Sequence, residues 1–189
     1  MIATLDLLGR AAPLPDVSES VRGFFRHDGG LARACRGGDF PYEERPQQVA
    51  MAEAVARALV APCHLVAEAG TGVGKTFAYL APLLLFGRQA GRKVAVATHT
   101  ISLQEQLVHK DIPFLQEHLG VSFQAALCKG RGNYLCRRRL ERADRLGGDL
   151  FQPGQASELQ RLRDWAAATE DGSLSDLEPQ PDSDLWAQV

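Results

Sequence analysis

The sequence predicts an α/β fold, a parallel sheet flanked by helices. Three observations predict it. Short apolar runs at His64–Ala67, Lys93–Thr98 and Val121–Leu127 read as buried strands, and helical periodicity fills the stretches between them. A glycine-rich turn, Ala67-Glu68-Ala69-Gly70-Thr71-Gly72-Val73-Gly74-Lys75-Thr76, joins the first of these strands to the helix after it. Strands separated by helices are joined by crossovers and therefore run parallel, and such sheets bind ligands at the carboxyl ends of their strands. The glycine turn lies at one of those ends.

Taken in order, residues 1–40 alternate short apolar clusters with Pro, Gly and charge, and read as a poorly determined leader with one short helix over Val17–Phe25. Pro46 suits the first turn of a helix, and Val49, Ala52, Val55, Ala56 and Leu59 recur at three- and four-residue steps until Pro62 ends the pattern. The helix after the glycine turn spans Lys75 to about Gln89 and closes at Gly91. Thr100 can cap a third helix running through Leu103, Gln104 and Leu107 toward His109, while Pro113 implies a break before a turn over Phe114–Leu119. Beyond the third strand come a helix over Tyr134–Arg145, a linker containing Gly and Pro, and a helix over Ser157–Ala168. The stretch Glu170–Asp184 is rich in Asp, Ser, Pro and Gly and need not be ordered.

With 189 residues, 45% of them hydrophobic, and a net charge of −2, the chain can form one substantial domain. No stretch approaches eighteen consecutive apolar residues, and the first twenty lack the pattern of a secretory signal, so the expectation is a cytoplasmic protein without a membrane partner. The four cysteines, Cys35, Cys63, Cys128 and Cys136, match no disulfide framework. Overall charge says nothing of nucleic acid, but Lys129, Arg131, Arg137, Arg138, Arg139, Arg142 and Arg145 fall in one stretch against only Glu141 and Asp144. That stretch suits a phosphate backbone, and equally a solvated helix face paired through Arg138, Glu141 and Arg145.

The glycine turn carries a specific chemistry. Amides of Gly72, Val73, Gly74, Lys75 and Thr76 can converge on phosphate oxygens, because glycine permits φ > 0 and a helix N-terminus carries positive partial charge. Lys75 would reach the β and γ phosphates of ATP, and Thr76 would offer its hydroxyl to a bridging Mg2+. These two are the catalytic expectation, and Ala69, Gly70 and Thr71 complete the nucleotide loop. Ala69 stands where the general pattern has glycine, a departure of one methyl group. An ordinary glycine turn needs neither the Lys75-Thr76 pair nor three alternating glycines.

Three flanking segments narrow the class: Arg45-Pro46-Gln47-Gln48-Val49-Ala50-Met51, Thr98-His99-Thr100-Ile101-Ser102-Leu103-Gln104-Glu105-Gln106-Leu107, and Lys129-Gly130-Arg131-Gly132-Asn133-Tyr134-Leu135-Cys136. With the glycine turn they resemble the amino-terminal third of DinG-like, XPD-type superfamily-2 DNA helicases, over roughly residues 29–145. The resemblance implies a RecA-like P-loop domain, its first half over residues 41–130, with the start of a helical iron–sulfur, DNA-binding insertion over 131–189. It also implies ATP hydrolysis coupled to 5′→3′ movement on single-stranded or forked DNA, by a monomer with a role in DNA repair. By the same resemblance Gln48 reads the adenine, the Thr98–Gln106 segment touches the DNA backbone, and Cys136 is the first ligand of a 4Fe–4S cluster.

Residue chemistry supports these roles and leaves plainer ones open. Gln48 can pair with adenine or merely solvate a helix start. Thr98, Thr100 and Gln104 can meet phosphates, or Thr100 can simply cap a helix. Lys129 and Arg131 can neutralise phosphates beside Asn133 while Tyr134 stacks on a base, or Tyr134 can belong to a core. A cluster needs four ligands, and Cys35, Cys63 and Cys128 read as small buried side chains instead. The acidic residue and second-lobe arginine that a P-loop motor requires are not found, so the expectation is a truncated, inactive amino-terminal part of a helicase. Two other classes fit the loop: a P-loop ATPase or kinase with no nucleic-acid role, and a non-catalytic nucleotide- or DNA-binding module.

Overall fold

The computed structural model describes residues 13–36, 42–61, 63–146 and 155–189, which fall into two compact units, one ending at Leu127 and the other beginning at Cys128. The first unit is built on helices. Ser18–Phe25 (α1), Gly30–Ala34 (α2), Pro46–Val60 (α3), Lys75–Ala90 (α4), Ile101–Gln106 (α5) and Ile112–Leu119 (α6) follow one another, with a π-helical turn over Leu107–Asp111 joining the last two. Helix α4 is the central element: Ala78, Leu80, Ala81, Leu84, Leu85 and Phe86 are all buried, so it is apolar over most of its circumference. Ala52 and Ala56 of α3 bring that helix close to it, small side chains permitting a tight approach.

Within the expected leader, residues 13–36 are more ordered than their composition suggests. Val17, Val21, Phe24 and Phe25 are buried in the same core as α3 and α4, and Tyr42 donates its hydroxyl hydrogen to the Phe25 carbonyl at 2.5 Å. Aromatic burial, 150–250 Å² per ring in general, outweighs the helix-breaking composition around it. Residues 1–12 and 37–41 lie outside the described residues.

Pro113 does not break the third helix. The preceding turn widens instead, the Ile112 N–H bonding the Leu107 carbonyl, and Pro113 falls within the first two positions of α6, where no N–H donor is required. Phe114–Leu119, expected as a turn, is therefore helical, and it ends at Gly120 with φ +64°.

The three expected strands carry no β-ladder among the described residues. Residues 64–70, 92–98 and 121–130 have no regular secondary structure, and Leu65, Val66, Val94 and Val96 are the exposed large hydrophobic residues, Val66 at 96%. The physical reason is that a strand, unlike a helix, leaves every backbone donor and acceptor to be met by another segment.

In the second unit, Arg137–Leu146 (α7), Gln155–Ala168 (α8) and Ser183–Gln188 (α9) surround a small core of Leu140, Ala143, Leu159, Leu162, Leu177, Leu185 and Val189. Helix α7 begins later than expected, since Tyr134 and Leu135 are engaged by residues 172 and 173. The stretch Glu170–Asp184, expected to need no order, is packed: Asp182 caps α9 through bonds from Asp184 N and Leu185 N, and Leu177 and Leu185 are buried. Few apolar residues sufficed because they join one core with Leu140, Ala143, Leu159 and Leu162. The expected Gly/Pro linker falls on residues 147–154, outside the described residues.

Candidate functional site

The phosphate loop is the most developed site of the first unit. Gly72 and Gly74 have φ of +79° and +82°, a conformation that costs a side-chain-bearing residue strain, and Gly74 is the N-cap of α4. A Cβ at position 74 would also run into the Gln48 amide. Helix α4 therefore starts at Lys75 with its first amides free of intrahelical partners, directly after the loop. The Lys75 ammonium folds back and donates to the Ala69 carbonyl at 3.0 Å and the Gly70 carbonyl at 2.7 Å. Its charge is thus held over the loop rather than swinging freely in solvent.

Behind the loop lies a polar set that sequence reasoning missed. Tyr79 lies one turn along α4 from Thr76. Burial pushes the Tyr79 phenol above the ordinary range, the nearby Thr76 hydroxyl works against that, and the Asp111 carboxylate adds a further upward push. Asp111 is buried and accepts from Gln106 Nε2 at 3.0 Å. Thr76, the expected Mg2+ ligand, so sits on the loop side of a polar cluster drawn from α4, the end of α5 and the π turn. No short-range spacing in the sequence signals this cluster, because Tyr79 and Asp111 lie on different helices.

Gln48 lies near the loop but not with a free amide. It is 5% exposed and donates from Nε2 to the Gly74 carbonyl at 2.9 Å. Arg45, which no sequence argument singled out, donates to the Gly72 carbonyl at 2.7 Å.

Of the residues expected on DNA, Thr100 performs the plainer role: its Oγ1 accepts from Leu103 N at 3.4 Å as the α5 cap. Gln104 donates to the Thr98 carbonyl at 3.1 Å, so the segment is cross-braced within itself. In the second unit, Lys129 is buried and donates to the hydroxyls of Ser173 and Ser175, both at 2.8 Å, while its N–H donates to the Tyr134 hydroxyl at 2.9 Å. That corrects the expectation for Lys129, whose ammonium holds the 173–175 turn in place, and it turns the Tyr134 hydroxyl inward. Asn133 bonds back to the Gly130 carbonyl at 3.1 Å. Arg131, Arg137, Arg138 and Arg142 remain exposed, and Glu141 pairs with Arg145 at 4.0 Å.

Cys136 is half-buried, its N–H donating to the Val189 carbonyl at 2.9 Å, and Cys63 and Cys128 are exposed rather than buried. Among the described residues no three His, Cys, Asp or Glu side chains come together to hold a metal ion. A four-thiolate cluster does not fit this set. For ATP with Mg2+ the fit is good: two left-handed glycines, a helix start and a loop-bound ammonium are what a polyphosphate demands.

A phosphate loop opening a helix in this setting is the mark of a nucleotide-driven enzyme class, and the sequence comparison specifies which. The profile of the DEAD/DEAH box helicase family matches residues 45–149, more than half of the chain, and the chain belongs to that family. This membership carries with it a RecA-like P-loop fold. Among individual proteins, the chain is 42% identical over 167 residues to the ATP-dependent DNA helicase YoaA of Escherichia coli, covering 87% of this chain and 25% of that one. It is 38% identical over 175 residues to the ATP-dependent helicase DinG of Mycobacterium tuberculosis, covering 84% and 26% respectively. A protein of Bacillus subtilis named 3′-5′ exonuclease DinG is 32% identical over 149 residues, 16% of its length. The chain thus spans about a quarter of the length of these two helicases.

Proposed function

We propose that this chain supplies the nucleotide-binding segment of an ATP-dependent DNA helicase acting in the cytoplasm in DNA repair. The observation that carries the reading is the loop of residues 69–76, with Lys75 bound across it and Gly72 and Gly74 in left-handed conformations. In this reading Lys75 meets the β and γ phosphates of ATP, the amides of residues 72–76 wrap them, and Thr76 adds its hydroxyl to Mg2+. The Thr98–Gln104 segment and the exposed arginines Arg131, Arg137, Arg138 and Arg142 meet the backbone of single-stranded or forked DNA, which a monomer follows 5′→3′. Gln48 would still turn to adenine only by leaving the Gly74 carbonyl. A 4Fe–4S cluster using Cys136 requires ligands beyond the described residues.

The activity belongs to a polypeptide that joins this segment to the remaining three quarters found in its relatives. Such a polypeptide should hydrolyse ATP faster in the presence of single-stranded DNA, and Lys75→Ala should reduce turnover by two orders of magnitude or more, about 3 kcal/mol, with DNA binding kept. Turnover unaffected by DNA would instead favour an ATPase without a nucleic-acid role.

A further inference from the structure

Two side chains from the start of α3 hold the phosphate loop from outside, and we propose that Arg45 is a positioning residue which turns the loop's amides toward polyphosphate. The inference rests on the nucleotide-binding reading of that loop. Arg45 is the residue before Pro46, and its backbone is extended, φ −110° and ψ 104°, as a residue preceding proline is constrained to be. From that fixed point its guanidinium crosses to the Gly72 carbonyl, 27 positions along the chain, while Gln48, one helical turn further, reaches the Gly74 carbonyl.

Peptide planarity turns these two bonds into an orienting device. In a trans peptide the C=O and the following N–H point in opposite directions. The one cis peptide among the described residues is Glu178–Pro179, so the 72–73 and 74–75 peptides are trans. Pulling the Gly72 carbonyl toward Arg45 therefore aims the Val73 N–H away from α3, and pulling the Gly74 carbonyl toward Gln48 does the same for the Lys75 N–H. Gly74 O also accepts from Ala78 N at 3.2 Å, so its plane is fixed twice, whereas among the described residues Arg45 supplies the one such bond to Gly72. Gly72 has no side chain of its own to brace the loop, and nothing stands within 4 Å of where a Cβ would lie. Arg45 is the side chain on which the orientation of the Val73 amide depends.

Competition binding with ATP and with inorganic tripolyphosphate, which has no base, separates a loop role from a base contact. Arg45→Ala is expected to weaken both by the same factor, about three- to tenfold, with unchanged melting temperature, and Arg45→Lys to restore most of the loss. Amide hydrogen exchange should also quicken at residues 72–75 in Arg45→Ala while α3 and α4 stay protected. Weakened ATP with unchanged tripolyphosphate would mean that Arg45 meets the base and would overturn the proposal, as would loop exchange equal to that of the unsubstituted protein. An unsubstituted protein that binds neither ligand removes the nucleotide reading, and the exchange result then decides the anchor by itself.

Discussion

The two units meet the same demand, hiding apolar surface, by opposite means. In the unit ending at Leu127, long apolar helices pack well, with Leu80 and Leu115 at 1% and 0% exposure, yet Leu65, Val66, Val94 and Val96 stand in solvent. In the unit beginning at Cys128, no comparably apolar segment exists, yet Leu162 and Leu185 are completely buried, the latter on a six-residue helix within a polar stretch. Apolar content therefore did not decide which segments found cover. What decided it was whether the backbone could satisfy its hydrogen bonds locally: α9 does so with an Asp182 cap, whereas the 64–67 and 93–97 runs need neighbours to pair with.

This contrast can be broken by substitution. The largest effect is expected from Leu80→Ala on α4, which removes a completely buried side chain from the centre of the first unit; a loss of about 2–5 kcal/mol should appear in denaturant unfolding. A smaller loss, about 2 kcal/mol, is expected for Leu185→Ala, accompanied by faster amide exchange over residues 170–189. Unchanged exchange there would mean that the polar stretch is not held by its apolar residues. The smallest effect belongs to Val66→Thr, a β-branched exchange at a side chain 96% exposed, which should alter the stability of this chain by no more than about 0.5 kcal/mol. A loss above about 1 kcal/mol would show that Val66 is covered in solution and that the strands of the first unit are paired there.

Much of the helical framework was legible from periodicity and caps. Pro46, Thr100 and Gly91 stand at helix boundaries for the local reasons their residue types suggest, and Lys75 begins α4 directly after the glycine loop. Long-range pairings were not legible. Arg45 with Gly72, and Lys129 with Ser173, lie 27 and 44 positions apart, and no period or spacing connects such pairs. A lysine in a basic run reads as a surface charge. Its ammonium is buried where two serine hydroxyls from a distant turn meet it. The same holds for Gln48, whose amide could equally serve a base, water or a backbone carbonyl until α3 was set against the loop.

By itself, then, the order of residues determined helices α1, α3, α4 and α5 and the glycine loop that opens α4, since these depend on φ preferences, side-chain spacing and hydrogen bonds that close within one or two turns. Tertiary structure alone decided which polar groups became scaffolding. The packing of α3 brought Arg45 and Gln48 onto the loop, and the folding back of residues 172–189 drew Lys129 and the Tyr134 hydroxyl away from solvent. The physical reason is that a polar side chain takes whichever partner is nearest when water is removed, and that partner exists only after distant segments have met.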